Sequence, residues 1–206
     1  MRGGARERVK RTVILANGDF PRKGGAAWEL LAAAKRVVAC DGAADAYRRR
    51  FRKWPDVVIG DLDSIHRRSV PCRVIHDADQ ETNDLEKAMT YCARRGWRDP
   101  VIVGATGKRE DHTLGNVFRA LDRGCEIVTD TGRFMPVCGK VALKVAKGAA
   151  VSIFAPDSRT RMTSKGLAWP LDDVKFRNLY CATLNRATAT RIELTATRPV
   201  SVYIGT

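Results

Sequence analysis

Two aspartates, Asp61 and Asp63, follow the apolar run Val57-Val58-Ile59-Gly60 at a spacing of two residues. Three β-branched residues closed by a glycine predict a short buried strand. In an extended chain, residues two apart point to the same side. The pair therefore projects from the carboxyl end of a strand, where open α/β sheets bind ligands. Carboxylates this close repel unless a cation lies between them, and Mg²⁺ carrying substrate phosphates is the usual one. The plainer alternative is a polar turn in which an aspartate caps a helix. Asp41-Gly42 and Gly104-Ala105-Thr106-Gly107 stand at the same kind of address, each just past an apolar run. Asp84 lies near the start of an amphipathic segment, beside Gln80 and Thr82, with Lys87 three residues on. Four carboxylates, a lysine and a glycine-rich loop with exposed N–H groups are the inventory for divalent metal and phosphate.

The elements that must position these residues alternate along the chain. Apolar runs at 12–16, 37–40, 56–60, 74–75, 101–103 and 126–129 predict strands. Between them, 28–35, 43–53, 83–95 and the segment around Leu114, Val117, Phe118 and Leu121 predict helices; the last two repeat apolar residues at i, i+3, i+4 and i+7. Strands alternating with helices imply a mostly parallel sheet covered on both faces. Past about residue 138 the period changes to two, at Val141, Leu143 and Val145, at Val151 and Ile153, at Ile192 and Leu194, and at Val200, Val202 and Ile204. Short antiparallel strands forming a sandwich or barrel are expected there. The predicted domain boundary falls at Cys138-Gly139, giving units 1–138 and 139–206.

The chain has 206 residues, 44% of them hydrophobic, enough for one large domain or two small ones. No apolar run reaches the roughly 18 residues of a membrane span. The basic segment before Arg11 lacks the apolar stretch of a secretory signal, so a cytoplasmic protein is expected. Six cysteines lie far apart, none in a C-x-x-C pair, and predict reduced, mostly buried thiols. The net charge is +14, yet residues 140–206 carry 11 Lys+Arg against 4 Asp+Glu and the remainder 26 against 19, so each part is +7. Charge spread this evenly, with Arg48–Lys53 at a helix end as its one dense run, argues against a specific nucleic-acid surface.

Two look-alikes fail. Gly104-Ala105-Thr106-Gly107-Lys108-Arg109 has too few residues between its glycines for a Walker A loop, and Arg109 stands where the metal-binding hydroxyl belongs. The G-x-G-x-x-G dinucleotide fingerprint is absent. Taken in order, Asn17-Gly18, Asp41-Gly42, Gly60-Asp61-Leu62-Asp63-Ser64, the segment Asp79 to Lys87 and Gly104 to His112 resemble the thiamine pyrophosphokinase (thiamine diphosphokinase) family, over residues 12 to about 119. Gly166-Leu167-Ala168-Trp169-Pro170-Leu171 and Thr183-Leu184-Asn185 are similar to its C-terminal signature.

The resemblance implies a Rossmann-like, ATP-binding α/β domain, a smaller C-terminal antiparallel β-sandwich, and a homodimer with thiamine bound between subunits. It implies Mg²⁺ and phosphates among Asp41, Asp61, Asp63 and Asp84, with Lys87 as a cation of the catalytic group. ATP is implied near Asn17, Gly18, Gly104, Thr106, Gly107, Lys108, Arg109, Asp111 and His112, and thiamine near Gln80, Thr183, Leu184 and Asn185. The stacking aromatic is left open among Tyr180, Trp169 and Tyr203. The reaction implied is ATP + thiamine → AMP + thiamine diphosphate, in which positioning and electrostatics dominate. Plainer roles stand beside these: Asp41 or Asp111 as a helix cap, His112 with Asn116 as a solvated helix pair, Trp169 as core packing. The rivals are a diphosphotransferase acting on another small alcohol such as a hydroxymethylpterin, a basic nucleic-acid-binding protein, and a non-catalytic sensor of thiamine diphosphate.

Overall fold

The computed structural model describes residues 11–61, 71–77 and 81–206. Among them the chain forms four helices and twelve strands. The first half runs β1 (Thr12–Leu15), α1 (Ala26–Ala32), β2 (Arg36–Cys40), α2 (Ala43–Phe51), β3 (Val57–Gly60), β4 (Arg73–His76), α3 (Asp84–Arg94), β5 (Val101–Val103), α4 (Glu110–Asp122) and β6 (Glu126–Val128). These six strands pair in parallel in the spatial order β4-β3-β2-β1-β5-β6.

Their apolar runs are unbroken because both faces are covered. On β1, Val13 and Leu15 pack with Leu31 of α1 and Tyr47 of α2, whereas Ile14, with Ala16 just past the strand, packs with Leu85 and Met89 of α3 and Val117 of α4. The same alternation divides Val37 and Ala39 from Val38 and Cys40 on β2. Trp28 of α1 stacks on Phe51 of α2 at 4.6 Å between ring centroids, which locks those two helices together on one face. Parallel strands put all their carboxyl ends along one edge, so the turns after β1, β2, β3 and β5 meet there.

The second half is antiparallel: β7 (Gly132–Lys144), β8 (Ala150–Phe154), β9 (Arg161–Lys165), β10 (Val174–Lys175), β11 (Ala182–Arg186) and β12 (Arg191–Gly205). β7 pairs with β6 and so joins the two halves into one hydrogen-bonded sheet. β12 pairs with β7 along its whole length, broken by a register shift between Ala196 and Val200. Before that shift its other edge holds β9, and after it β8. Ile192, Leu194, Val200, Val202 and Ile204 share one separate core with Val151, Ile153, Met162 and Phe176.

The change of period expected near Cys138-Gly139 falls inside β7, which continues through it. Ile192–Leu194 and Val200–Ile204, read as two strands, are one. Of the six thiols, Cys40, Cys92 and Cys125 are buried, but Cys138 and Cys181 are exposed. Cys138 follows the buried Val137 on β7 and so faces the other side of that strand, and Cys181 stands just before β11 begins. None is in a disulfide. No helix among the described residues is long and apolar enough to cross a membrane.

Candidate functional site

A cleft of about 500 Å³ opens along the carboxyl edge of the parallel strands. Of the residues expected in the site, it gathers Asn17, Gly18, Asp41, Asp61, Asp84, Gly107, Lys108, Arg109 and His112. Asp41, Asp61 and Asp84 each place a carboxylate oxygen within 4.8 Å of the others. They come from the ends of β2 and β3 and from the first residue of α3, which only the fold brings together. Asp63 and Gln80 lie outside the described residues.

Asp41 does not cap α2, whose N-cap is Gly42 with no side-chain hydrogen bond. Its φ of 42° turns the chain out of β2 and aims the carboxylate into the cleft. The residue is only 4% exposed, and its Oδ1 has no hydrogen-bond partner among the described residues. A buried, unpartnered carboxylate oxygen facing two further carboxylates is costly unless a cation arrives. Gly60 makes the approach feasible: a Cβ there would lie 2.9 Å from the Asp41 Cβ and 3.2 Å from Asp84 Oδ2. The donors are hard oxygens, which suit a hard divalent cation.

Burial pushes the Asp84 carboxyl above its ordinary pKa, Lys87 opposes that shift, and the neighbouring Asp41 and Asp61 charges add to it. Burial, with Asp84 nearby, likewise pushes the Cys40 thiol well up, so Cys40 lines the cleft as a neutral group. Lys87 is not an exposed cation at the cleft wall. It is 8% exposed, donates from Nζ to the Asp77 carbonyl at 2.7 Å and stands 3.6 Å from Asp84 Oδ1. That contact ties α3 to the turn after β4, and the charge reaches the cleft through Asp84.

The opposite wall is the loop after β5. Gly18 N donates to Gly104 O at 2.7 Å and Asp19 N to Thr106 O at 2.8 Å, so the turns after β1 and β5 lie backbone to backbone. Lys108 Nζ donates to the backbone O of Asn17 at 3.1 Å and to its Oδ1 at 3.2 Å, holding an ammonium over the same junction. Arg109 forks onto Asp111 at 3.1 and 2.5 Å, and that pairing holds the exposed Asp111 carboxyl down at about 2. Asp111 thus orients Arg109 and does not cap α4, whose N-cap is Arg109. Gly104 and Thr106 turn to the far side of the loop, lining a second cleft with Arg22, Arg50 and Asp130.

Gly18 cannot carry a side chain in this arrangement. A Cβ would sit 2.4 Å from Thr106 O and 2.5 Å from Gly104 O, both backbone atoms. Gly18→Ala is expected to lower stability by about 1–3 kcal/mol and to weaken binding of inorganic pyrophosphate. Thermal unfolding and a pyrophosphate titration measure the two effects, and wild-type values in both would show that the loops need not touch.

Thr183, Leu184 and Asn185 do not line this cleft. They lie on β11, which among the described residues is an edge strand paired with β8. Asn185 is buried and its amide is engaged at both ends: Nδ2 donates to Trp169 O at 2.7 Å, while Oδ1 accepts from Trp169 N and Arg186 N. Thr183 Oγ1 donates to Tyr180 O. Leu184 is 87% exposed, Tyr180 64% and Trp169 60%, so Trp169 is surface rather than core. Tyr203 donates its hydroxyl to Thr131 O, and its ring centroid lies 4.9 Å from that of Phe134.

Asn83 and Asn116 line the cleft as well. Asn83 is the N-cap of α3, accepting Glu86 N at 3.0 Å. Asn116 is buried and is no solvated partner of His112. The one sequence signal for it is a poor helix former directly after Gly115, in the middle of a helix.

The model for the thiamin pyrophosphokinase catalytic domain matches residues 27–129, and that for the thiamin pyrophosphokinase substrate-binding domain matches 132–203. Thiamin pyrophosphokinase 1 of Caenorhabditis elegans is 32% identical over 128 residues, 56% of this chain and 53% of that protein. The match thus spans about half of the nematode protein's length. Thiamine pyrophosphokinase 1 of Arabidopsis thaliana is 26% identical over 203 residues, covering 80% of this chain and 74% of the plant protein. Among solved structures, thiamine pyrophosphokinase from Bacillus subtilis superposes with a TM-score of 0.74 at 17% identity, covering 95% of this chain and 99% of that one. Thiamin pyrophosphokinase from Candida albicans gives 0.77 at 14% identity, covering 95% and 89%. With both family models matched in succession and the fold shared throughout, the chain belongs to the thiamin pyrophosphokinase family.

Proposed function

We propose that this protein transfers the diphosphoryl group of ATP to the hydroxyl of thiamine, giving thiamine diphosphate and AMP, with Mg²⁺ held at the carboxylates. One observation carries the reading beyond family membership: three carboxylates converge on a cleft whose other wall is a glycine loop with Lys108 and Arg109. Asp41, Asp61 and Asp84 would hold the metal, with Asp63 completing the set. When bound, Mg²⁺ neutralises phosphate charge and lowers the barrier to attack on phosphorus.

The chain's own groups then do the rest. Lys108, fixed on Asn17, places a cation against the polyphosphate, and Arg109, oriented by Asp111, offers a planar donor pair. His112 lies on the same wall. Lys87 counters the Asp84 charge from behind and offsets part of the rise that burial imposes on that carboxyl. Little covalent work remains for the protein, since phosphoryl transfer depends on alignment and charge.

We read residues 1–138 as the Rossmann-like ATP and Mg²⁺ unit and 139–206 as a β-sandwich that binds thiamine. The separate C-terminal core supports that division. Within one chain Thr183, Leu184 and Asn185 do not line the carboxylate cleft, whereas Leu184, Tyr180 and Trp169 offer exposed apolar surface. A cytoplasmic homodimer, in which one subunit's β11 faces the other's cleft, would complete the site. No specific nucleic acid has a place in this scheme.

The test is direct: incubate the protein with ATP, Mg²⁺ and thiamine, and assay AMP and thiamine diphosphate. Failure to form both would overturn the reading. For the dimer, mixing inactive Asp84→Asn chains with chains impaired at β11 by Thr183→Val restores part of the activity if the site is shared. No recovery after demonstrated subunit exchange assigns the whole site to one chain.

A further inference from the structure

The two walls of the cleft are joined by a chain of side-chain amides that the reaction scheme does not use. Asn83, directly before Asp84, donates from Nδ2 to Asn116 Oδ1 at 3.2 Å. Asn116 Nδ2 in turn donates to the carbonyl of Ala105 at 2.9 Å, inside the glycine loop. The same Asn83 accepts Glu86 N through Oδ1, so both ends of its amide are committed. The orientation of Asn116 follows from its partners: turned over, it would set its NH₂ against the Asn83 NH₂ and its oxygen against a carbonyl. An amide is the group that can accept at one end and donate at the other across this gap.

Asn116 is 8% exposed, flanked on α4 by apolar Val117 and Ala120. Asparagine there disfavours the helix by about 0.5 kcal/mol relative to alanine, and an apolar residue would suit the packing face. Ala105, itself 2% exposed, sits between Gly104 and Thr106, next to the backbone that meets the turn after β1. The relay therefore runs from the residue beside a metal-facing carboxylate, through α4, to the loop opposite. Loops and helix ends are otherwise free to shift by fractions of an ångström, and a misplacement of about 1 Å costs on the order of a hundredfold in rate.

We propose that Asn116 is a positioning residue: through Asn83 and Ala105 it sets the separation between the carboxylate wall and the phosphate-handling loop. This rests on the reading that these two walls hold metal and phosphates.

Two single variants and their double test it in the full chain. Asn83→Ser keeps an N-cap acceptor for α3 but loses the donor to Asn116. Asn116→Ala removes the relay at its centre. Each is expected to lower kcat about tenfold while KM for thiamine stays within about twofold, and the double is expected to be no worse than the poorer single. The Mg²⁺ concentration for half-maximal rate rises in all three. Asn83→Ser with kcat within about twofold of wild type, or two effects that multiply as if independent, would overturn the proposal. Should Asn116→Ala fail to fold, Asn83→Ser decides alone. If the wild-type protein forms no AMP from ATP and thiamine, the proposed reaction falls. The relay is then read from Mg²⁺-dependent binding of inorganic pyrophosphate, expected to weaken about tenfold in both single variants. Unchanged binding in the variants, or none in the wild type, overturns it.

Discussion

Asp41→Asn is expected to yield a protein that is harder to unfold in the absence of metal and nearly inactive in its presence. The carboxylate is buried, its Oδ1 is unpartnered among the described residues, and two other carboxylates lie within 4.8 Å. Removing the charge relieves a repulsion that only a cation otherwise relieves, so the metal-free protein gains about 1–3 kcal/mol. Asparagine tolerates the φ of 42° as readily as aspartate, so the backbone has no reason to move. Turnover falls by at least about a hundredfold, because charge neutralisation at the phosphates is worth several kcal/mol. Unfolding midpoints in EDTA and in Mg²⁺, with AMP release, measure all of this. A lower midpoint in EDTA, or a Mg²⁺-dependent rise as large as wild type, would remove Asp41 from the cation site. Asp84 gives the same cluster a pH signature. Its raised pKa means the folded state binds the proton more tightly than the unfolded chain, so its contribution opposes folding at neutral pH. That cost disappears as pH falls through the folded value towards 3.8.

The second large effect is at Asn185, where alanine is expected to cost about 2–3 kcal/mol of stability rather than act on substrate binding alone. Family resemblance marks this residue for thiamine. Its amide, however, holds both the N–H and the carbonyl of Trp169 and accepts Arg186 N besides. It fastens edge strand β11 to a segment anchored in the core by Leu167 and Leu171. Truncation leaves two backbone groups of Trp169 without partners and frees an exposed indole that Asn185 now holds still. KM for thiamine should then rise as a consequence of that loosening. Denaturant unfolding and steady-state kinetics separate the cases: unchanged unfolding free energy with a raised KM would show that the amide meets substrate directly.

Much of the first half was legible without coordinates. Strands at 12–15, 36–40, 57–60, 101–103 and 126–128, and helices at 43–51 and 84–94, stand within a residue or two of the apolar runs and spacings that announce them. The reason is that burial on both faces writes itself as continuous β-branched runs, and burial on one face of a helix as a repeat of 3.6. The second half was harder. Period two announces β-structure but not where one strand ends, so β12 read as two strands, and β9, β10 and β11 had too little alternation to be seen.

The sequence by itself pointed to the family and to the carboxyl edge of the parallel sheet, where Asp41, Asp61 and Asp84 of the four expected acids come within 4.8 Å of one another, because each follows or opens an element whose period is local. Tertiary structure alone decided which way side chains face and what they already hold. Thr106 lines the cleft on the far side of its own loop, Lys87 is buried against Asp77, and Asn185 is spent on Trp169. The Asn83–Asn116 and Asn116–Ala105 bonds join residues 33 and 11 positions apart. A side-chain amide carries no periodicity of its own, and its partner is chosen by packing that brings distant backbone within 3 Å or so.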